Sequence, residues 1–174
     1  ALSHLMPAFS LPHAQEYKLG KSTVSAHTYA LAELGIKVKT TNSSYDITAT
    51  KIKPAEIVMY EAGDTACENV LTACAKIPGK SVIKFASANY MVQEICFFLE
   101  TLGVKVEGIG TSTLTVYGVK EINKDTEYTN SEDPIESMMF ISAAIATDSK
   151  LTITRVPIDF LELELLKLEK MGLK

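Results

Sequence analysis

A chain of 174 residues with 47% apolar composition can bury a substantial core, enough for one domain or for two small lobes sharing an interface. Its net charge of −4, with lysines scattered rather than clustered, leaves no electrostatic footprint for nucleic acid or for an anionic membrane surface. The longest apolar stretch, Met138 to Ala146 broken only by Ser142, falls far short of the roughly 20 residues that cross a bilayer, so no membrane span is expected.

The first feature along the chain is Gly20-Lys21-Ser22-Thr23, which reads as a turn with an N-cap at Ser22. It also looks like the tail of a phosphate-binding P-loop. That motif needs a glycine five residues before the Gly-Lys pair, and position 15 is Gln15. Backbone donors at a helix start beside Lys21 still suit an anionic group, which makes Lys21, Ser22, Thr23 and Val24 the candidate substrate-binding residues.

Apolar periodicity then predicts a helix over 24–34, followed by alternating strands over 37–41, 45–49 and 56–60. A helix over 66–77 and a strand over 81–85 come next. A second set follows: a helix over 90–102, strands over 104–108 and 113–117, a helix over 134–147 and a strand over 150–155. A last helix covers 160–171. Thr65 with Glu68, and Asp159 with Glu162, have capping-box spacing. Asp133-Pro134-Ile135-Glu136 combines an N-cap acid, a proline at the first helical position and a glutamate at the third. That fit makes Asp133 and Glu136 a cap rather than a carboxylate pair for acid–base work. The 138–146 segment is apolar around nearly its whole circumference, so it is expected to be buried.

These elements repeat. Leu34-Gly35-Ile36-Lys37-Val38 returns as Leu102-Gly103-Val104-Lys105-Val106, and Met171-Gly172-Leu173-Lys174 opens a third copy. Each unit begins with an apolar helix ending at a glycine suited to a left-handed C-cap. Repeat units therefore run over about 24–89 and 90–157, with the start of a third over 158–174. The fold class is α/β, with repeated helix-and-sheet units that wrap sheets around buried parallel helices. The third unit stops after its first helix, so the chain is read as incomplete.

Chemistry is harder to find. His4, His13 and His27 have no ligand spacing with the cysteines, so no metal is assigned, and no cofactor is called for. Cys67, Cys74 and Cys96 lie inside apolar helical patterns and are odd in number, which favours core positions in a reducing, cytoplasmic compartment over a disulfide framework. No charged-then-apolar leader precedes the first element, so no targeting peptide is expected. Glu162, Glu164 and Lys167 form a solvated stripe. No catalytic residue emerges from spacing.

A resemblance adds more. Phe98-Leu99-Glu100-Thr101-Leu102-Gly103-Val104-Lys105-Val106, then Gly108-Ile109-Gly110-Thr111, then Leu114-Thr115-Val116-Tyr117-Gly118-Val119 resembles the UDP-N-acetylglucosamine 1-carboxyvinyltransferase family. Glu68-Asn69 with Ala73 and Gly79 looks like that family's Glu-Asn helix start. Asp133-Pro134-Ile135-Glu136 looks like its Asp-Arg-Ile-Glu, with Pro134 in place of the arginine. Ser10-Leu11-Pro12, Leu19-Gly20, Val24 and His27 are similar to its loop and helix start facing the nucleotide sugar.

The resemblance, over about residues 10–174, implies an enolpyruvyl transferase-like fold of two domains that binds phosphoenolpyruvate and UDP-N-acetylglucosamine between them. The crossing between domains would fall near 120–133, and the partners would include the remainder of the same polypeptide. Several positions depart from the pattern. The family's loop cysteine gives way to His13-Ala14-Gln15-Glu16-Tyr17, and its arginine to Ser22-Thr23. Its Ser-Val-Gly becomes Gly63-Asp64-Thr65, where an aspartate would repel a diphosphate. Its Ala-Arg-Glu-Pro-Glu becomes Ser87-Ala88-Asn89-Tyr90-Met91. The resemblance therefore implies either a segment of a divergent transferase, inactive by itself, or a family member without catalysis that serves as a nucleotide-sugar binding or structural module.

Overall fold

The computed structural model describes residues 2–13 and 24–173, which form two compact units, Ala1–Tyr128 and Thr129–Lys174. In the first unit, β1 (Ala8–Pro12), β2 (Ile36–Thr40) and β3 (Ser44–Ala49) make an antiparallel sheet of order β1-β3-β2. A second sheet of order β4-β5-β7-β6 contains β4 (Glu56–Val58), β5 (Gly79–Lys84), β6 (Lys105–Glu107) and β7 (Thr113–Gly118). Within it β4 runs parallel to β5, while β7 is antiparallel to both β5 and β6. Alternation sets which side chains turn inward. Ile47 and Ala49 of β3, Ile57 of β4, Ser81 and Ile83 of β5, and Leu114 and Val116 of β7 are buried, with more exposed residues between them.

Helices α1 (Ser25–Glu33), α2 (Asp64–Ala75) and α3 (Tyr90–Thr101) complete this unit. α2 packs against α1, α3 and β7. It can do so because Ala66, Cys67, Val70, Leu71, Ala73, Cys74 and Ala75 are all buried, and most of them are small enough to let neighbours approach. Gly35 and Gly103 follow α1 and α3 with φ of 86° and 90°, the left-handed closure expected of them.

The cysteines are core residues, as read from their pattern. Burial pushes the Cys67 thiol up to about 11 and those of Cys74 and Cys96 to about 12. All three are expected to resist iodoacetamide at pH 8 in the folded chain and to react together once guanidinium unfolds it. Rapid native labelling of any one would show that α2 or α3 opens readily.

In the second unit, α4 (Pro134–Ala146) and α5 (Glu162–Lys170) are the α-helices among the described residues. Asp133 caps α4 as expected, its carboxylate accepting a hydrogen bond from the Ile135 backbone N–H at 2.8 Å.

Four other expectations are corrected. The Met138 to Ala146 helix is not buried: Ile135, Met139, Phe140 and Ile145 are exposed, and only Pro134 and Ser137 of α4 are buried. A helix apolar on all sides needs cover on all sides, and the described part of this 46-residue unit (129–174) supplies no sheet. Residues 150–155 form no strand, since no neighbouring strand pairs with them and Arg155 takes a φ of 60°. The Thr65–Glu68 and Asp159–Glu162 boxes do not form. α2 starts from Gly63 and α5 from Leu161, neither with a side-chain cap, and Asp159 lies in a 3-10 turn, Ile158–Phe160. Ser10-Leu11-Pro12, read as loop, belongs to β1, because β3 offers it an edge with Ser10 opposite Asp46.

Candidate functional site

Of the candidate binding residues, Lys21, Ser22 and Thr23 lie outside the described residues. Val24 is the N-cap of α1, with φ −89° and ψ 13° and no side-chain cap bond. It borders a cavity of about 430 Å³ beneath the first sheet. Phe9 and Leu11 of β1, Val38 of β2, Ile47 of β3 and Leu31 of α1 give that cavity apolar walls, and His27 and Asn69 add polar groups.

The pair His27 and Asn69 joins α1 to α2. The Asn69 side-chain amide donates to His27 Nδ1 at 2.8 Å. In neutral imidazole this acceptance at Nδ1 places the proton on Nε2, which leaves a donor available for a ligand oxygen. Nearby, the rings of His13 and Tyr45 lie 4.4 Å apart, and His13 Nε2 is buried with no hydrogen-bond partner among the described residues. Among the described residues no lysine or arginine lines the cavity.

A second polar cluster stands where α2 and α3 begin. Ser87 Oγ donates to Asp64 Oδ1 at 2.5 Å, and Asn89 Nδ2 donates to Asp64 Oδ2 at 2.7 Å. Asn89 also caps α3, its side-chain oxygen accepting from the Tyr90 backbone N–H at 2.7 Å. The start of α2 has the positive potential of a helix N-terminus, and Asp64 in its first turn already supplies the negative charge. A phosphate approaching here meets a fixed carboxylate.

Further out, beyond the ends of β4 and β5, Tyr60 and Phe85 are exposed, and the ring of Tyr29 from α1 sits 5.9 Å from that of Tyr60. Sequence reading passed over these aromatics, although Tyr60 and Phe85 both stand at the predicted ends of strands. It also gave no reason to join His27 to Asn69, which are 42 positions apart. Among the described residues no group of His, Cys, Asp and Glu could hold a metal ion, and no helix is long and apolar enough to cross a membrane. The arrangement can hydrogen-bond and shelter a ligand. Among the described residues it offers no lysine or arginine in the cavity to neutralise one.

Comparison with known proteins gives consistent matches. The family model for EPSP synthase (3-phosphoshikimate 1-carboxyvinyltransferase) matches residues 17–174. Similar sequences include the UDP-N-acetylglucosamine 1-carboxyvinyltransferase of Treponema denticola, 36% identical over 138 residues, covering 79% of this chain and 32% of that protein. The protein of the same name from Bradyrhizobium diazoefficiens is 32% identical over 155 residues, covering 89% and 36%. The chain thus spans about a third of the length of these curated relatives. Among solved structures, the enolpyruvyl transferase NikO from Streptomyces tendae superposes with a TM-score of 0.75 at 18% identity, covering 99% of this chain and 42% of that one. An EPSP synthase from Acinetobacter baumannii gives 0.52 at 17% identity, covering 67% and 27%. The α/β architecture is that of the enolpyruvyl transferases.

Proposed function

This chain belongs to the EPSP synthase family, and from that membership we propose that the polypeptide carrying it transfers the enolpyruvyl group of phosphoenolpyruvate to the 3-hydroxyl of UDP-N-acetylglucosamine. The observation that carries the acceptor is that the two relatives above, matched over 79% and 89% of this chain, are named UDP-N-acetylglucosamine 1-carboxyvinyltransferase. In this transfer the acceptor hydroxyl bonds to the enolpyruvyl carbon and loses its proton, while phosphate leaves. Such chemistry needs cations to hold phosphate and carboxylate, and an acid–base group in place. Among the described residues, the cavity beneath the first sheet has no lysine or arginine for the first of these roles. Lys21, Ser22, Thr23 and Val24, the residues that precede α1 in the sequence, hold the anionic part of the substrate in this proposal. The repeat units over about 24–89, 90–157 and 158–174, the domain crossing near 120–133, a cytoplasmic location and a role in peptidoglycan precursor synthesis belong to the same proposal.

The second reading, a member without catalysis that binds a nucleotide sugar or serves as structure, is favoured by one observation: Asp64 occupies the start of α2 and is held there by Ser87 and Asn89. Phosphate release from phosphoenolpyruvate and UDP-N-acetylglucosamine separates the two. The 174-residue chain alone is expected to release none, and the intact product of its reading frame to release it at a rate that falls a hundredfold or more when a charge-stabilising group is removed. Lys21→Glu is expected to weaken nucleotide-sugar binding. An intact product that binds the sugar nucleotide but releases no phosphate establishes the second reading.

A further inference from the structure

After β7 the chain gives up regular structure. Between Gly118 and Pro134 there is no helix or strand, and residues 120–127 make no backbone-to-backbone hydrogen bond among the described residues. A segment of this kind has no cooperative support of its own, so its order depends on the few side chains that it turns inward. At its start it is well fixed: the Val119 N–H donates to the Ala75 carbonyl at 2.9 Å, and Ile122 packs against the core. Asn123, Lys124, Asp125, Thr126 and Glu127 are then all exposed, and Tyr128 is the next residue to turn inward.

Tyr128 meets α3 in two places. Its hydroxyl donates to Glu94 Oε1 at 2.9 Å, and its ring stands edge-on to that of Phe98, 5.4 Å between centroids and 71° between planes. Glu94 and Phe98 are four positions apart, so one face of α3 presents both. Burial first, and then the bond to Glu94, push the Tyr128 hydroxyl up to about 12, so it keeps its proton and can donate at any ordinary pH. The boundary between the two compact units falls directly after this residue.

We propose that Tyr128 is a latch: closed on Glu94 and Phe98, it holds the strap 119–128 against the first unit, and open, it releases residues 123–128 into the connection that leads to α4. Ile122 remains the inner anchor in both states. The six released residues add about 20 Å of reach when extended. The effective concentration of tethered parts depends on such a length, so the latch governs how closely the first unit confines what its connection carries. One hydrogen bond and one ring contact open and close without unfolding anything beneath them. The latch is independent of the transfer reading.

Limited trypsin digestion of the 174-residue chain, read by mass spectrometry, tests it. Lys124 lies in the stretch that the latch releases, and Lys150, exposed and outside any helix or strand in the second unit, serves as the reference cut. Where opening is fast relative to cleavage, the rate at Lys124 tracks the open population. Tyr128→Phe keeps the ring and loses the hydrogen bond, so cleavage after Lys124 relative to Lys150 is expected to rise about tenfold, and Tyr128→Ala to raise it further. Glu94→Gln keeps an acceptor and should retain most of the protection that Glu94→Ala loses. Combining Glu94→Ala with Tyr128→Phe should add little to either alone, because both remove the same bond. The melting midpoint should stay close to that of the parent in every variant. The latch is overturned if Lys124 is cut at the parent rate in Tyr128→Ala, or if the effects of Glu94→Ala and Tyr128→Phe multiply in the double variant. It is also overturned if faster cutting appears only with a lowered melting midpoint, which would make Tyr128 part of the first unit's core.

Discussion

Leu71→Asp is expected to unfold the first unit, while Ile141→Asp leaves the chain's melting midpoint close to that of the parent. Leu71 is fully buried at the middle of α2, the helix touched by α1, α3 and β7. A carboxylate there has no water and no cation, and even after it takes up a proton it remains a polar group without a partner. The cost is several kcal/mol, a large part of an ordinary domain's total stability. Ile141 has the same chemistry on a helix that the sequence alone would bury, but it is only half-buried in the structure and is flanked by exposed Phe140 and Ser142. A charge there keeps its water. Circular dichroism melts of both variants check this. Equal destabilisation would mean that α4 is covered as thoroughly as α2.

Gly118→Ala is the second large effect. Gly118 closes β7 against the end of α2, and a β-carbon there would lie 2.1 Å from the Ile77 carbonyl oxygen and 2.2 Å from that of Cys74. These are backbone atoms, held in place because the Val119 N–H donates to the Ala75 carbonyl at 2.9 Å. They cannot swing aside as a side chain would, so α2 must part from β7. Overpacking of this kind costs about 1–3 kcal/mol, and more where the backbone must move. Gly103→Ala is the control: its β-carbon meets nothing within 4 Å, and only the left-handed backbone at φ 90° resists the change. Urea unfolding should show the lower midpoint for Gly118→Ala at an unchanged slope. Equal midpoints would show that the α2 to β7 contact yields easily.

A comparison of Leu71 with Ile141 shows where reading from sequence reaches its limit. Both lie in apolar helical segments, and local pattern treats them alike. Burial depends on what surrounds a helix, and for α2 that is three elements drawn from distant parts of the chain. The strands behave similarly. Alternation located β2 to β7 to within a few residues, because side chains on opposite faces of a strand meet opposite environments. It could not say that β6 and β7 would join β4 and β5 in one sheet while β2 and β3 pair with β1 in another. Pairing is decided between strands.

The candidate site divides along the same line. The sequence by itself determined the five α-helices, the core role of the cysteines, the glycine closures after α1 and α3 and, through the Phe98 to Val119 stretch, the family. Each rests on residues close together in the chain, where periodicity, capping and motif order act locally. Only the tertiary structure decided that Ser10 to Pro12 form a strand, that 150–155 do not, and that α4 stays exposed. It also brought His27 to Asn69, Ser87 and Asn89 to Asp64, and Tyr29 to Tyr60. The physical reason is common to all of them: a hydrogen bond, a ring contact or a buried face needs a second surface, and the chain delivers that surface from 23 to 42 positions away for the hydrogen-bonded pairs, beyond the reach of any local pattern.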